Sequence, residues 1–275
     1  MEITCHSWAF NDLTLPEALG TIARLGFRYV DLGTGPHLNP ARAANPQTRQ
    51  AVLRELRGDL EMFNLKIADL YLMLPRISVN DEKKRSTDIM LFKAMLPFAQ
   101  TIRVAGITVS PGLVHPEDDE EAWERTVTAL REMLQAAQEA QIPLSVEPHL
   151  DSMASTPERA LRLVEEIEGL QITLDIAHMA CQGIRLKKFQ DLLPHTRHVQ
   201  IRQARRNKLQ TAFDKGKIDL VEFFDALREV NYEGFLGIEY MQTVDWHGMQ
   251  AVNSIVEVSR MRDELRTLRE ASPTT

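Results

Sequence analysis

Cysteine is scarce in this chain of 275 residues, which has only Cys5 and Cys181. Two cysteines so far apart form neither a disulfide framework nor a zinc-finger pattern, so we expect a reducing compartment, the cytoplasm. The chain also lacks a signal-peptide pattern at its N-terminus and any apolar run of about 18 residues, so no membrane association is expected. Basic charge is in deficit, because 32 Lys and Arg stand against 39 Asp and Glu, a net charge of −7. This balance argues against a general nucleic-acid-binding protein.

Eight short apolar runs, rich in β-branched residues, recur along the whole chain. They predict strands at residues 2–8, 29–32, 65–74, 107–109, 142–147, 172–175, 198–201 and 235–239. The segments between them carry apolar residues at helical spacing, most clearly at residues 13–27, 81–105, 120–140, 155–170, 218–234 and 252–269. Strand-then-helix units that cannot stand alone predict an α/β fold, a single-domain (β/α)8 TIM barrel over residues 1–270, with a frayed tail at 271–275. An open doubly wound sheet is the alternative, but no glycine-rich phosphate turn follows the first strand.

The last four predicted strands end in polar motifs. These are VEPH at 146–149, LDIAH at 174–178, HVQIR at 198–202 and GIEY at 237–240. Because active sites of such barrels lie at the carboxyl ends of the strands, we expect Glu147, Asp175, Gln200 and Glu239 to converge at one mouth. Three carboxylates in an apolar cage repel one another unless a cation lies among them, and we expect no basic residue to supply it. The oxygens predict one divalent metal ion, Mn²⁺ or Mg²⁺, with Co²⁺ or Zn²⁺ as further options, and a metal-free site as the alternative.

These motifs resemble those of the xylose isomerase-like TIM barrel superfamily, the group of sugar phosphate isomerases and epimerases, inosose dehydratases and endonuclease IV. In its sugar epimerases, strands five to eight supply Glu, Asp, His and Glu to one metal. Glu147, Asp175 and Glu239 match three of these ligands, and Gln200 stands where the family usually has His. The resemblance implies that Glu147 and Glu239 are catalytic and move a proton next to the carbonyl of a small sugar or sugar acid, through an enediolate. It also implies that His178 contacts the substrate.

Candidates for further substrate contacts follow from strand parity, since residues i and i+2 share a face. His198, Gln200 and Arg202 form one inward file, and Arg202 begins a basic run that continues through residues 205–217. We therefore expect Arg202 and Arg205 to bind an anionic group of the substrate. Three more residues are candidates for the substrate pocket, with core or surface roles as the alternative: His149, His6 and Trp8.

Three other functions remain open at this stage. A metal-dependent lyase, which decarboxylates or dehydrates a keto sugar acid, is favoured by Arg202, by the basic run and by Gln200. A non-catalytic sugar-binding barrel is supported by Gln200 alone. An endonuclease IV-like repair enzyme is disfavoured, because that branch resembles a three-metal site with extra histidines on strands three and four, and here only His115 follows the fourth strand. The sequence also leaves open whether the barrel forms a homo-oligomer.

Overall fold

The computed structural model describes residues 1–271, and its eight parallel strands close into one barrel in sequence order, with the last strand beside the first. The strands are β1 (Glu2–His6), β2 (Tyr29–Gly33), β3 (Lys66–Leu72), β4 (Ile107–Val109), β5 (Leu144–Val146), β6 (Gln171–Asp175), β7 (Thr196–Ile201) and β8 (Phe235–Ile238). The predicted single-domain (β/α)8 barrel is confirmed. Residues 272–275, which make up most of the predicted frayed tail, lie outside the described residues.

Helices follow the strands and surround the barrel. They are α1 (Leu15–Arg24), α2 (Pro40–Ala44), α3 (Pro46–Phe63), α4 (Glu82–Ile102), α5 (Glu120–Glu139), α6 (Pro157–Glu166), α7 (Ile176–Gln182), α8 (Leu220–Glu229) and α9 (Ser254–Glu270). Several begin at an Asp or Thr whose side chain accepts a backbone N–H of the first turn, as at Asp81, Asp119 and Thr156. None of the helices in residues 1–271 has both the length and the apolar character that crossing a membrane requires.

Four predicted strands, the first, third, fifth and eighth, are shorter than expected, and the ends of the first and fifth bear on the site. The first ends at His6, because its Nδ1 accepts the N–H of Trp8 at 3.1 Å and caps a 3₁₀ turn at Ser7–Phe10. The fifth ends at Val146, which leaves Glu147 just beyond the sheet, where its side chain can turn into the mouth. The first strand thus stops where a polar side chain caps the next turn, whereas beyond the fifth strand the backbone N–H of Glu147 still donates to Val109 at 3.0 Å.

The interior of the barrel is polar, whereas the space between sheet and helices is filled by apolar side chains such as Trp123, Phe92 and Phe224. Two layers of polar side chains lie inside the barrel. We call the lower layer Asp31, Asp69, Arg197 and His198, and the upper layer Glu147, Asp175, Gln200, Arg202 and Glu239. The upper layer stands one step higher along the strands, because His198 precedes Gln200 by two residues on the same face of β7.

Candidate active site

The upper layer is built at the carboxyl ends of β5 to β8. Asp175 is the last residue of β6 and is paired in register with Gln200 of β7, while Glu147 and Glu239 directly follow β5 and β8. All four side chains are buried. Contacts through His178 and Arg202 connect the three carboxylates, so these do form one cluster.

Arg202 is the main difference from the sequence analysis. Its side chain is only 1% exposed, and its guanidinium lies between two carboxylates, with Nη2 2.9 Å from Asp175 Oδ2 and Nη1 2.8 Å from Glu239 Oε2. The expectation that no basic residue would supply a counter-charge was therefore wrong. Parity places Arg202 correctly on the inward face, but it does not say that the long side chain bends down toward the carboxylates instead of up toward a substrate.

Glu147 is held by a residue that the sequence analysis did not assign to the site. Tyr71 on β3 donates its hydroxyl to Glu147 Oε2 at 2.5 Å. The Tyr71 ring packs 5.2 Å from that of Trp8, which lies 4.5 Å from the ring of His6. His6, Trp8 and Tyr71 form an aromatic wall beside Glu147, which fits the expected place of His6 and Trp8. The alternation of side chains along the third strand places Tyr71 on the inward face, and this pattern could have indicated that it belongs to the site.

Two histidines stand above the carboxylates. The backbone N–H of Leu150 donates to His178 Nδ1 at 3.1 Å, so the proton of the neutral ring is on Nε2, which is 3.5 Å from both Glu147 Oε1 and Asp175 Oδ2. Burial keeps the pKa of His178 well below its usual value. His149 Nε2 is 2.9 Å from the hydroxyl of Ser110, and its ring lies 6.0 Å from that of His178. Both histidines therefore present hydrogen-bonding groups near the carboxylates.

The mouth of the barrel is covered by the loop after β8. The Trp246 ring lies 6.0 Å from the His178 ring, and its neighbour His247 pairs with Asp151 of the β5–α6 loop at 2.6 Å. Asp151 and His247 both have positive φ, at 64° and 46°, a conformation that non-glycine residues rarely adopt. The contact thus joins two loops across the mouth at strained positions, as is common where loops close over a ligand.

Arg205 is not brought to this cluster. Its exposed side chain lines a surface cavity of about 760 Å³ between α7 and α8, together with Ile176, Lys217 and Phe223. The predicted basic run therefore divides, since Arg202 points into the barrel and Arg205 points away from it.

Burial and like charge together disfavour ionisation of the carboxylates. Removal from water, with the charge of Asp175 nearby, raises the pKa of Glu147 to about 8. Burial also raises the pKa of Glu239 well above its usual value and raises that of Asp175, although Arg202 opposes both shifts. Full ionisation of three carboxylates against one guanidinium would leave two negative charges in excess, so a further cation would favour the ionised cluster.

The donor atoms of the upper layer fit a divalent metal ion. Glu147, Asp175 and His178 offer atoms within 4.8 Å of one another. Both side-chain amide atoms of Gln200 are buried without a hydrogen-bond partner in the described part of the chain, which is rare for a buried polar group and typical of a site that takes an ion or water. His178 Nε2 carries the ring proton, so the oxygens of Glu147 and Asp175, with those of Gln200 and Glu239 in the same layer, are the donors open to an ion. Oxygen ligands suit Mg²⁺ or Mn²⁺.

Residues 19–270 match the family described as xylose isomerase-like TIM barrel. The chain belongs to this family. No match was found among curated proteins. Membership of the xylose isomerase-like family agrees with the resemblance inferred from the four strand-end motifs.

Solved structures similar to this xylose isomerase-like chain cover nearly all of it. A 3-keto-D-glucoside 4-epimerase from E. coli is 19% identical, with a TM-score of 0.74 over 98% of this chain and 100% of the other. A D-allulose 3-epimerase from Methylomonas sp. is 17% identical, with a TM-score of 0.78 and 98% of each chain covered. A probable 3-DHS dehydratase from Bacillus anthracis is 17% identical, with a TM-score of 0.73 over 97% of this chain and 99% of the other. At these identities the likeness shows the shared fold.

Proposed function

We propose that this protein is a metal-dependent sugar isomerase or epimerase that moves a proton at the carbon next to a carbonyl group. The observation that carries the proposal is the pair of buried glutamates, Glu147 and Glu239, which rise from different strands into one carboxylate cluster. Epimerisation needs a group that removes a proton from one face of the carbon and a group that returns one to the other face. Glu147 and Glu239 are our candidates for these two groups.

The chain's own residues would prepare both glutamates for proton transfer. Tyr71 fixes one oxygen of Glu147 and leaves Oε1 directed toward His178, while Arg202 fixes Oε2 of Glu239. Glu147, Asp175, Gln200 and Glu239 would hold a divalent ion, for which we propose Mn²⁺ or Mg²⁺. Such an ion, when bound, would polarise the substrate's carbonyl group and so make the adjacent C–H more acidic.

The surroundings support a small polyhydroxylated substrate. The aromatic wall of His6, Trp8 and Tyr71 offers a flat apolar face, and the histidines His149 and His178 offer polar atoms at the level of the carboxylates. The loop that carries Trp246 covers the mouth and would exclude water from a bound sugar. We place the activity in the cytoplasm, in keeping with the two free thiols of Cys5 and Cys181.

A lyase acting on a keto sugar acid is our second candidate, and the similar dehydratase structure favours it. The sequence argument for a lyase relied on Arg202 as an anchor for an anionic substrate. That argument is weakened, because the Arg202 guanidinium is already engaged by Asp175 and Glu239. We therefore rank the isomerase or epimerase, which transfers a proton without releasing CO₂ or water, above the lyase.

Exchange of substrate hydrogen in D₂O tests the proposal. Ketopentoses, ketohexoses and keto sugar acids would be incubated with protein loaded with Mn²⁺ or Mg²⁺ and followed by NMR, with Glu147→Gln as the matched inactive control. We expect deuterium to enter next to the carbonyl of at least one ketose and the epimer to accumulate. Release of CO₂ or water from a sugar acid without epimerisation would establish the lyase instead, and no exchange or turnover with any compound would contradict both.

A further inference from the structure

Arg202 lies where the carboxylate cluster needs positive charge. Its guanidinium contacts Asp175 and Glu239, two of the four residues that we propose as metal ligands. We propose that Arg202 is a built-in counter-cation, which lets the cluster fold without metal and competes with a divalent ion for these two carboxylates. This inference rests on the proposed metal site, and it adds a residue that sets the affinity of that site.

The first step of the argument is that Arg202 is fixed from several sides. Besides the two carboxylates, Nη1 donates to the backbone oxygen of Glu239 at 2.8 Å and Nε donates to that of Leu209 at 3.3 Å. These backbone acceptors hold the guanidinium in place whatever binds to the carboxylates. Arg202 is therefore a permanent part of the cluster.

The second step concerns the donors that remain. A guanidinium has five N–H groups, of which three donate to Leu209 and Glu239, while Nη2 forms an ion pair with Asp175 at 2.9 Å. With the side chain fully enclosed, the two N–H groups that remain are on Nη2, which lies against Asp175. This geometry argues against a substrate anchor and for a structural cation that neutralises buried carboxylates.

The third step is that the arginine and a metal would need the same oxygen. Asp175 Oδ1 accepts the N–H of Ala177 at 2.8 Å at the start of α7, so Oδ2 is the atom left for a ligand. That atom is the one that faces Arg202, and it makes an ion pair there without a hydrogen bond. A metal bound at Oδ2 would lie beside a fixed positive charge in a buried place, which weakens its binding.

A substitution that removes the charge and keeps most of the stem tests the inference. Arg202→Met leaves three buried carboxylates without a counter-ion, so in chelator we expect its thermal midpoint to fall by about 10 °C. Mn²⁺ or Mg²⁺ should restore that loss, and calorimetric titration should show Mn²⁺ binding to the variant about ten-fold or more tighter than to the wild type. The midpoint of the wild type should rise less between chelator and metal than that of the variant does.

The lower layer offers a matched control. Arg197→Met also removes an arginine of β7, one that is partly buried and pairs with Asp69 at 2.5 Å, outside the proposed metal ligands. We expect this variant to be destabilised equally in chelator and in Mn²⁺. Restoration of Arg197→Met by metal would mean that the ion stabilises the barrel in general, and it would contradict the role given to Arg202.

A double variant covers the case in which Arg202→Met does not fold. Arg202→Met with Glu239→Gln removes one positive and one negative charge, so it should fold in chelator and melt above the single variant. If the double variant is no more stable than the single one, or if Arg202→Met binds Mn²⁺ no more tightly than the wild type, the inference is wrong. These readouts are independent of turnover, so a failure of the proposed sugar chemistry would be seen separately, in the exchange assay of the wild type.

Discussion

The two polar layers inside the barrel use similar residues to different effect. In the lower layer, Arg197 donates to Asp69 and to the hydroxyl of Ser145, and His198 pairs with Asp31 at 3.0 Å. Every member of that layer has at least one hydrogen-bond partner, although Asp69 Oδ2 and His198 Nδ1 have none among the described residues. In the upper layer, the one guanidinium contacts two of the three carboxylates, and neither amide atom of Gln200 has a partner among the described residues.

This difference separates a layer that holds the barrel together from a layer that can accept a ligand. A buried ion pair with both partners present is strongly destabilised when one is removed. Repulsion between carboxylates and an unpaired buried amide destabilise a cluster, and a bound cation or substrate can remove that destabilisation. We therefore expect substitutions in the lower layer to change stability, and substitutions in the upper layer to change activity and metal response.

Loss of a catalytic carboxylate should give the largest effect. We expect Glu147→Gln and Glu239→Gln each to lower kcat by about 10³-fold, within the range that positioned acid or base groups contribute. The stability of Glu147→Gln should not fall, because the substitution keeps the shape of the side chain and removes one of three like charges. Steady-state kinetics on the substrate found by the exchange assay, with thermal melting alongside, would test this, and unchanged turnover would rule out the acid/base assignment.

The lower layer should respond in the opposite way. Asp69→Asn leaves Arg197 without its ionic partner, and we expect a loss of at least about 3 kcal/mol in the free energy of unfolding, with kcat nearly unchanged. Urea unfolding measures the loss. Asp118→Asn is the control, because Asp118 is exposed and its effect should stay within about 0.5 kcal/mol. A large fall in kcat with little loss of stability would show that the two layers do not divide their roles in this way.

The sequence predicted the barrel and the convergence of the site, because both follow from periodicity. Apolar runs of period two alternating with helical segments predict the fold. Polar residues at the carboxyl ends of the strands predict the mouth, and Glu147, Asp175 and Glu239 lie in one cluster there. Contacts set by long side chains or distant strands were beyond reach. Strand parity gives the face on which Arg202 lies, but not that its side chain bends toward the charge of Asp175. Tyr71 and Glu147 are 76 positions apart in the chain, so no local pattern links them.

Removal of the Tyr71 hydroxyl should have a smaller effect than removal of a carboxylate. Tyr71→Phe leaves Glu147 Oε2 buried without its donor, so we expect a loss of about 1–3 kcal/mol in stability and a fall in kcat of about ten-fold. Tyr29→Phe is the matched control, since Tyr29 on β2 packs on Phe235 and its hydroxyl has no hydrogen bond among residues 1–271. Equal effects of the two substitutions would mean that the contact with Glu147 does not position the carboxylate.

The smallest effect that we predict changes sign with the metal. Gln200→Leu replaces an amide without partners by an apolar group of similar size, so in chelator the free energy of unfolding should rise by about 1 kcal/mol. In Mn²⁺ the order should reverse, because the wild type gains binding energy through the Gln200 oxygen that the variant lacks. Gln203→Leu, three residues later, should be destabilised in both conditions, since both Gln203 amide atoms bond with the backbone of Ile218. If Gln200→Leu were less stable than the wild type in chelator as well, the Gln200 amide would stabilise the fold, as the side chains of the lower layer do. It would then not be free to bind an ion or a substrate.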